Sequence, residues 1–283
     1  MPVLVPTTLD EAVSAMAADP DAMVLAGGTD AMVEVNAGHR RPSCVVVVNR
    51  VSEMRSWTYD PVAATVRIGA AVTYAELLEP PLATLLPALA ESSRTVGSPQ
   101  IRHAGTLGGN LGTCSPAGDG LPVLSALDAV VHLASTAGER SMSVHDFMVG
   151  VKRTAREPGE LITAVTVPVL SGWQGYAKVG VRNAMVIALA TACVAVDTAS
   201  ASVRLAIGSV GPTILRCAQA EAFAASAVDF AASSASADAV RRFAELAAAA
   251  SHPIDDHRAS AAYRRHAIGV LASRLLRRAF PNE

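Results

Sequence analysis

The sequence predicts an α+β protein with a larger N-terminal part and a smaller C-terminal α+β domain. Up to about residue 170, short apolar runs typical of strands alternate with helical patterns. The composition changes near Ser171-Gly172, and beyond this point strand patterns come first and helical patterns follow. These observations place the domains at residues 1–170 and 171–283, and they divide the first domain into two α/β subdomains at about 1–55 and 56–170.

The first subdomain has the pattern of an α/β unit. Thr7 or Thr8 can cap a helix from Leu9 to about Ala18, whose first turn contains the acidic residues Asp10 and Glu11. The third predicted strand of this unit, Cys44–Val48, is apolar on both faces, which indicates a sheet that is covered on both sides. Strands are predicted at Val3–Val5, Met23–Ala26 and Cys44–Val48.

The second subdomain continues the α/β pattern and contains a long irregular tract. The tract is rich in glycine, serine and proline and runs from Gly97 to Gly120. Tracts of this length in a compact protein are usually functional. A strand is predicted at Thr65–Ile68, helices at Thr73–Leu78, Leu82–Thr95 and Val144–Val149, and further elements of the pattern at Leu121–Leu127, Ala129–Leu133 and Leu161–Val167.

The C-terminal domain is predicted to form strands before helices. The strands are expected at Tyr176–Val181, Ile187–Asp197 and Ser202–Gly208. The helices are expected at about Ala218–Ala225, Ala237–Ala250 and Ala259–Ala279.

Composition excludes several classes of protein. A net charge of −2 and few aromatic residues argue against nucleic acid as a partner. The longest apolar stretch, Ala184 to Val196, is shorter than the roughly 20 residues of a membrane span, and no secretory leader is visible. The cysteines show no C-x-x-C spacing and the histidines no ligand spacing, so we expect reduced thiols, a cytoplasmic location and no metal of its own. The cysteines are Cys44, Cys114, Cys193 and Cys217.

Candidate binding chemistry is concentrated in two glycine segments. We call Ala26-Gly27-Gly28-Thr29-Asp30 the first glycine segment and Thr106-Leu107-Gly108-Gly109-Asn110 the second. Glycine allows a ligand to approach main-chain N–H groups, and successive N–H groups form a site for anions such as a diphosphate. Neither segment fits G-x-G-x-x-G or a P-loop, which disfavours a Rossmann site and a P-loop nucleotidase.

These segments, in their context, resemble the FAD-binding medium subunit of molybdenum hydroxylases of the xanthine dehydrogenase and carbon monoxide dehydrogenase type. The resemblance extends along the chain through Gln100–Leu111, Ser115–Asp119 and the stretch from Tyr176 to Ala188. It implies a PCMH-type FAD-binding domain of two α/β subdomains, followed by a C-terminal domain with a short antiparallel sheet and helices.

The resemblance also implies which residues bind FAD. Asp119 corresponds to an acidic residue near the ribityl and phosphate region, Ile162 to an apolar residue at the flavin or adenine, and Lys178 to a lysine near the flavin end. Val96 occupies a place where some relatives have an aromatic residue beside the isoalloxazine ring. The two segments hold the pyrophosphate through Val24, Leu25, Ala26, Gly27, Gly28, Thr29, Asp30 and Ala31, and through Thr106, Gly108, Gly109 and Asn110.

Residue types alone support plainer interpretations of the same positions. Asp119 is suited to cap a helix that begins near Leu121, and a lysine such as Lys178 on a strand is usually solvated. A solvated helix face is the ordinary interpretation of Arg274, Arg277 and Arg278, with contact to a partner as the alternative.

The implied function is electron transfer through FAD, with no catalytic side chain of the protein's own. Electrons pass from 2Fe-2S clusters of a small partner subunit to FAD and then to an acceptor such as NAD. A large molybdopterin subunit hydroxylates the substrate. A purine is the first candidate for this substrate, followed by carbon monoxide or an N-heterocycle. Two alternatives stay open, namely a self-sufficient flavin oxidoreductase of the same superfamily and a flavin-free structural subunit.

Overall fold

The computed structural model describes residues 1–281, which divide into two compact units. Each unit is assembled from three separate stretches of the chain. The first unit comprises Met1–Leu77, Ser98–Cys114 and Asp128–Pro168. The second unit comprises Leu78–Gly97, Ser115–Leu127 and the described chain from Val169 onward.

Strands and helices alternate through most of the chain. The strands are β1 (Val3–Leu4), β2 (Met23–Leu25), β3 (Val45–Val47), β4 (Trp57–Asp60), β5 (Thr65–Gly69), β6 (Val130–Ser135), β7 (Gly138–Ser143), β8 (Met148–Gly150), β9 (Arg153–Thr154), β10 (Leu161–Pro168), β11 (Gln174–Val179), β12 (Ala190–Asp197), β13 (Ser202–Gly208), β14 (Leu215–Arg216), β15 (Val228–Asp229) and β16 (Ser234–Ala235). The helices are α1 (Leu9–Ala18), α2 (Ala31–Asn36), α3 (Leu82–Leu85), α4 (Pro87–Arg94), α5 (Pro99–Ala104), α6 (Leu107–Thr113), α7 (Gly120–Ala126), α8 (Val144–Phe147), α9 (Ala218–Ala227), α10 (Ala237–Ala249) and α11 (Ala261–Ala279).

The first unit begins with a parallel sheet of order β1-β3-β2. Helix α1 has the predicted bounds because Thr8 and Glu11 form a reciprocal capping box. Its buried residues Ala12 and Met16 lie one turn apart and join the same apolar core as Val46 of β3. The three predicted strands are confirmed to within two residues at their ends.

A second sheet in the first unit has the order β4-β5-β10-β6-β7 and is antiparallel throughout. Its central strands are the predicted apolar runs, with Ile68, Val131 and Val165 fully or almost fully buried. The edge strands β4 and β7 are not predicted, because they are largely polar and exposed. The pattern of apolar residues identified the core strands without giving their direction.

Three helix predictions and the predicted irregular tract need correction. The predicted helix Val144–Val149 ends at Phe147, and Met148–Gly150 forms β8. The predicted helix Leu82–Thr95 is divided into α3 and α4, because Leu86 precedes Pro87 and leaves the helical region at φ −130° and ψ 65°. The predicted helix Thr73–Leu78 is reduced to a 3₁₀ turn at Glu76–Leu78. The tract 97–120 is not irregular throughout, since it contains α5 and α6, each capped at its N-terminus by a serine or threonine.

The second unit contains the antiparallel sheet β11-β12-β13-β14. The sheet packs against α9 and α11, and α10 packs against these two helices, with Val194, Leu205, Phe243 and Leu275 in the shared core. Helices α4 and α7 of the same unit pack against the strands as well. The predicted order of strands before helices is confirmed, and the three helices end within two residues of their predicted bounds.

Two structural features are absent from the part of the chain that is described. No helix within residues 1–281 combines the length and apolar character that crossing a bilayer requires. The same residues contain no group of three or more His, Cys, Asp or Glu side chains placed to hold a metal ion.

Candidate functional site

The first glycine segment makes a tight turn between β2 and α2. A Cβ atom on Gly27 would lie 1.7 Å from the carbonyl oxygen of Ala104, so only glycine fits this position. Gly28 has a φ of +70°, which glycine adopts without strain. The Gly28 carbonyl then accepts a hydrogen bond of 3.1 Å from the backbone N–H of Met32 in α2.

The second glycine segment forms the start of helix α6 and not a free loop. Thr106 is extended, at φ −123° and ψ 159°, and its Oγ1 accepts a 2.9 Å hydrogen bond from the N–H of Gly109. The N–H of Gly108 is also used, since it donates to the carbonyl of Ala70 at 2.9 Å. Part of the N–H row expected for an anion is therefore engaged within the protein.

The two glycines of the second segment have different surroundings. Gly108 is buried, and a Cβ atom there would lie 2.4 Å from Cβ and 2.5 Å from the carbonyl oxygen of Ala70. Gly109 is exposed, and a Cβ atom there would meet only Thr106 Oγ1, at 3.1 Å. Gly108 serves close packing within the protein, whereas Gly109 presents open backbone.

The structure brings the two glycine segments together. The space that a Cβ atom on Gly27 would need is taken by the Ala104 carbonyl and the Gly105 nitrogen, and Thr106 follows directly. Thr29, Ala31 and Asn110 are half-buried, and Asp30 occupies the N-cap position of α2 without a side-chain capping bond. Gly28 is half-buried and Gly109 is exposed, so both glycines keep some accessible surface.

Three predicted residues of the first unit have an apolar structural role. Val24, Ala26 and Ile162 are partly buried and pack against the core that includes α1 and β3. Ile162 lies on β10, and its Cδ1 is 3.6 Å from the place of a Cβ atom on Gly112 in α6. Ile162 thus lies beside the helix that begins with the second glycine segment.

In the second unit, Asp119 and Lys178 form a buried ion pair. Lys178 Nζ donates to Asp119 Oδ2 at 2.7 Å, and the two side chains are 8% and 9% exposed. Lys178 also donates to the carbonyl oxygen of Thr95 at 3.3 Å. Asp119 therefore does not cap α7 through its side chain, and Lys178 is not solvated, which corrects both plainer interpretations.

Tyr176 completes a buried polar network around this pair. Its hydroxyl donates to Asp119 Oδ1 at 2.8 Å, and its backbone N–H donates to Glu91 Oε2 at 2.7 Å. Burial raises the pKa of Asp119, although Lys178 and Tyr176 oppose that rise. Burial, reinforced by the Asp119 charge, raises the pKa of Tyr176 well above its usual value.

The family resemblance singled out Asp119 and Lys178 as candidate cofactor residues, but it did not predict their pairing or their partners Tyr176, Glu91 and Thr95. Tyr176 and Lys178 are two residues apart on β11, so their side chains point to the same face of the sheet. That spacing was the available signal. Val96, one residue beyond Thr95, is half-buried and follows α4.

Other residues near these segments have clear surroundings. Cys114 is buried, and burial raises the pKa of its thiol, which disfavours the thiolate that covalent attachment of a flavin would need. His103 lies exposed on α5. Arg278 is not simply solvated, because it pairs with Glu91 and lies 5.1 Å from the ring centre of Trp173.

Two family models together match most of the chain. The family described as "FAD binding domain in molybdopterin dehydrogenase" matches residues 1–170. The family described as "CO dehydrogenase flavoprotein C-terminal domain" matches residues 176–279.

Relatives and solved structures match over most of their length. The glyceraldehyde dehydrogenase medium chain of Sulfolobus acidocaldarius is 30% identical over 269 residues, which are 93% of this chain and 92% of that protein. The nicotinate dehydrogenase FAD-subunit of Eubacterium barkeri is 34% identical over 206 residues, 70% of this chain and 69% of that protein. A chain of reconstituted CO dehydrogenase from Oligotropha carboxidovorans has a TM-score of 0.90 at 28% identity and covers 100% of this chain and 98% of its own length.

Proposed function

The chain belongs to the FAD-binding medium chains of the molybdenum hydroxylases, and from this premise we propose that it passes electrons from the iron–sulfur clusters of a partner chain through FAD to an acceptor such as NAD. The observation that carries the assignment of the FAD site is the contact of Gly27 with Ala104. Gly27 and Ala104 are 77 residues apart in the chain, and Ala104 lies two residues before the second glycine segment, so their close approach supports a single site that uses both segments.

The glycine segments fit the diphosphate of FAD. Gly28 has a positive φ angle, which residues with a side chain rarely adopt. A Cβ atom on Gly109 would meet only Thr106 Oγ1, so the remaining space at this position is open to a ligand. Approach of a phosphate oxygen to these backbones requires that no Cβ atom intervene. We assign the pyrophosphate to the chain from Val24 to Ala31 and to the Thr106–Asn110 segment, with Gly108 supporting the turn from behind.

The residues of the second unit are assigned to the ribityl and flavin parts of FAD. Lys178 supplies a fixed positive charge, because Asp119 and the Thr95 carbonyl hold its ammonium group in place. Asp119 is held in turn by Tyr176, so it acts mainly through the orientation of Lys178. Val96 occupies the position beside the isoalloxazine ring, so no aromatic side chain stacks on the ring there. Ile162 provides an apolar contact to the cofactor.

FAD supplies the redox chemistry when it is bound, since the isoalloxazine accepts two electrons and passes them on. The protein's own residues bind, orient and shield the cofactor, and they form or break no covalent bond. We propose that molybdopterin and 2Fe-2S clusters are held by a large and a small partner subunit. We further propose a cytoplasmic location, in keeping with four cysteines that are all free thiols and buried.

The experiment is purification of the chain together with its partners, followed by absorption spectroscopy and identification of the co-purified subunits. We expect one non-covalent FAD per chain and, among the co-purified subunits, a molybdopterin protein and an iron–sulfur protein. When the iron–sulfur protein is reduced under anaerobic conditions, we expect the flavin to become reduced as well. NAD is then added to the reduced complex, and reoxidation of the flavin is the expected result.

Three outcomes would contradict parts of this proposal. A folded chain that binds no FAD after reconstitution would leave the structural subunit as the remaining interpretation. Turnover of the isolated chain with both a donor and an acceptor would favour a self-sufficient oxidoreductase. Reoxidation by a quinone or oxygen and not by NAD would overturn the acceptor alone.

A further inference from the structure

Helix α2, which follows the first glycine segment, has little to hold it in place within the first unit. It is six residues long, none of its residues is buried, and Asp30 makes no side-chain capping bond to it. Helices this short are marginal in water without tertiary contacts. Its position matters for the glycine segment because Met32 N–H binds the Gly28 carbonyl.

Lys152 contacts this helix from the turn between β8 and β9. Its Nζ donates to Glu34 Oε1 of α2 at 2.7 Å. The pair is partly exposed, with 50% of the Lys152 side chain and 35% of the Glu34 side chain accessible. The hydrogen bond to Lys152 lowers the pKa of Glu34, and the same bond raises the pKa of Lys152. Further charges act on the pair, namely Asp30 on Lys152, and Arg40 and His39 on Glu34.

The same residue contacts the end of the second helix of the site. The backbone N–H of Lys152 donates to the carbonyl of Cys114 at 3.1 Å. Cys114 is the C-cap of α6, and its own N–H binds the carbonyl of Asn110 in the second glycine segment. Lys152 and Cys114 both have positive φ angles, of +53° and +46°. Two strained residues joined by a hydrogen bond indicate a position that the surrounding structure holds firmly.

We propose that Lys152 is a positioning residue that fixes the two glycine segments relative to each other. It joins the end of α6 through its backbone and α2 through its side chain, and each helix begins at or just after a glycine segment. Lys152 does not itself touch the cofactor in this proposal. The inference rests on the proposed FAD site and adds the residue that fixes the positions of its two glycine segments.

The test is a titration of the full-length apoprotein with FAD, followed by flavin fluorescence, at about 50 mM and about 500 mM salt. Lys152→Met keeps the length of the side chain and removes its charge. We expect the FAD dissociation constant to rise about two- to five-fold at low salt, as is typical for loss of a half-exposed ion pair. The difference from wild type should shrink at high salt, where the pair is screened.

Matched variants separate positioning from general stability. Lys152→Arg should retain wild-type affinity, and the exchange Lys152→Glu with Glu34→Lys should restore most of the affinity that either single reversal loses. Arg241→Met breaks an exposed pair on α10 of the second unit and should leave FAD affinity unchanged.

The outcomes are distinguishable from those for the FAD site itself. Wild-type protein without FAD affinity would refute the proposed function. Wild-type affinity in Lys152→Met at low salt, with or without a lower unfolding temperature, would refute the positioning role alone. Failure of the charge exchange to restore affinity would show that the ion pair is not the element responsible.

Discussion

Lys178 Nζ lies 2.7 Å from Asp119 Oδ2, and both side chains are less than a tenth exposed. A buried ion pair contributes little net stability, because desolvation offsets the attraction, but removal of one partner leaves an uncompensated buried charge. Removal of one of the two residues is therefore expected to cost more stability than the intact pair contributes to the fold.

We expect Lys178→Met to lower the free energy of unfolding by about 3–5 kcal/mol near pH 8. Without the ammonium group, the pKa of Asp119 rises further, so the folded state binds a proton at a higher pH than the unfolded state does. Stability then increases as the pH falls, and the deficit of the variant should shrink toward about pH 5.5. Denaturant unfolding at several pH values measures this. The double variant with Asp119→Asn should cost less than the sum of the single changes, and strict additivity would contradict coupling.

Gly109→Ala should weaken FAD binding without unfolding the protein. The added methyl group would lie 3.1 Å from Thr106 Oγ1 and otherwise extend into the space proposed for the diphosphate. It would hinder the approach of a phosphate oxygen to the backbone, and loss of a single hydrogen bond to a charged group costs about 1.5–3 kcal/mol, or tenfold or more in affinity. Gly112→Ala is the matched control, since Gly112 is exposed on the same helix and has only Ile162 Cδ1 nearby, at 3.6 Å. Flavin fluorescence titrations compare the two variants, and equal affinities would remove Gly109 from the site. Gly108 is unsuited to this test, because its contact with Ala70 would confuse packing with binding.

Gly27→Ala should destabilise the first unit by about 3 kcal/mol, because its Cβ atom would overlap the Ala104 carbonyl oxygen. Gly38→Ala is the control. Gly38 has a φ of +74° and no atom within 4 Å of the added Cβ, so we expect only the cost of the backbone angle, about 1–2 kcal/mol. Thermal unfolding of the apoproteins measures both changes. A smaller loss for Gly27→Ala than for Gly38→Ala would show that the contact is not close.

Asp256→Asn should reduce stability at neutral pH and lose this effect in acid. The carboxylate accepts backbone N–H groups of Arg258 and Ala259 and then the buried Arg264, and these bonds lower its pKa to about 2. A lowered folded pKa gives stability that is complete above the unfolded value of about 4 and is lost as the pH falls toward 2. Unfolding curves of the two proteins should therefore converge between about pH 4 and pH 2. A constant difference across this range would contradict the mechanism.

Local signals in the sequence predicted the local structure. Thr8, one of the two predicted caps, begins α1 through its capping box with Glu11, and β13 has its predicted bounds, Ser202–Gly208. The break before Pro87 follows a rule of the same kind, since a residue preceding proline avoids the helical region, but the unbroken helix predicted at Leu82–Thr95 did not take that rule into account. These features depend on neighbours within a few residues, which the sequence shows directly.

Contacts between distant residues were not available from the pattern alone. The approach of Gly27 to Ala104 and the pairing of Asp119 with Lys178 join residues that are 77 and 59 positions apart. The family resemblance singled out these glycines and Lys178 as candidate cofactor residues, but it did not distinguish packed from exposed positions. Gly108 and Gly109 are adjacent in sequence, and only the position of Ala70 separates their roles.

The division of the second unit into three stretches limits how such subunits can be recombined. Helices α4 and α7 precede residue 128, yet their buried residues, among them Leu89 and Leu124, pack within the unit that the chain from Val169 onward completes. A chimaera joined near residue 170 would therefore place foreign strands against the native helices α4 and α7. Exchanging the C-terminal segment between relatives should succeed only when residues 78–97 and 115–127 are transplanted with it.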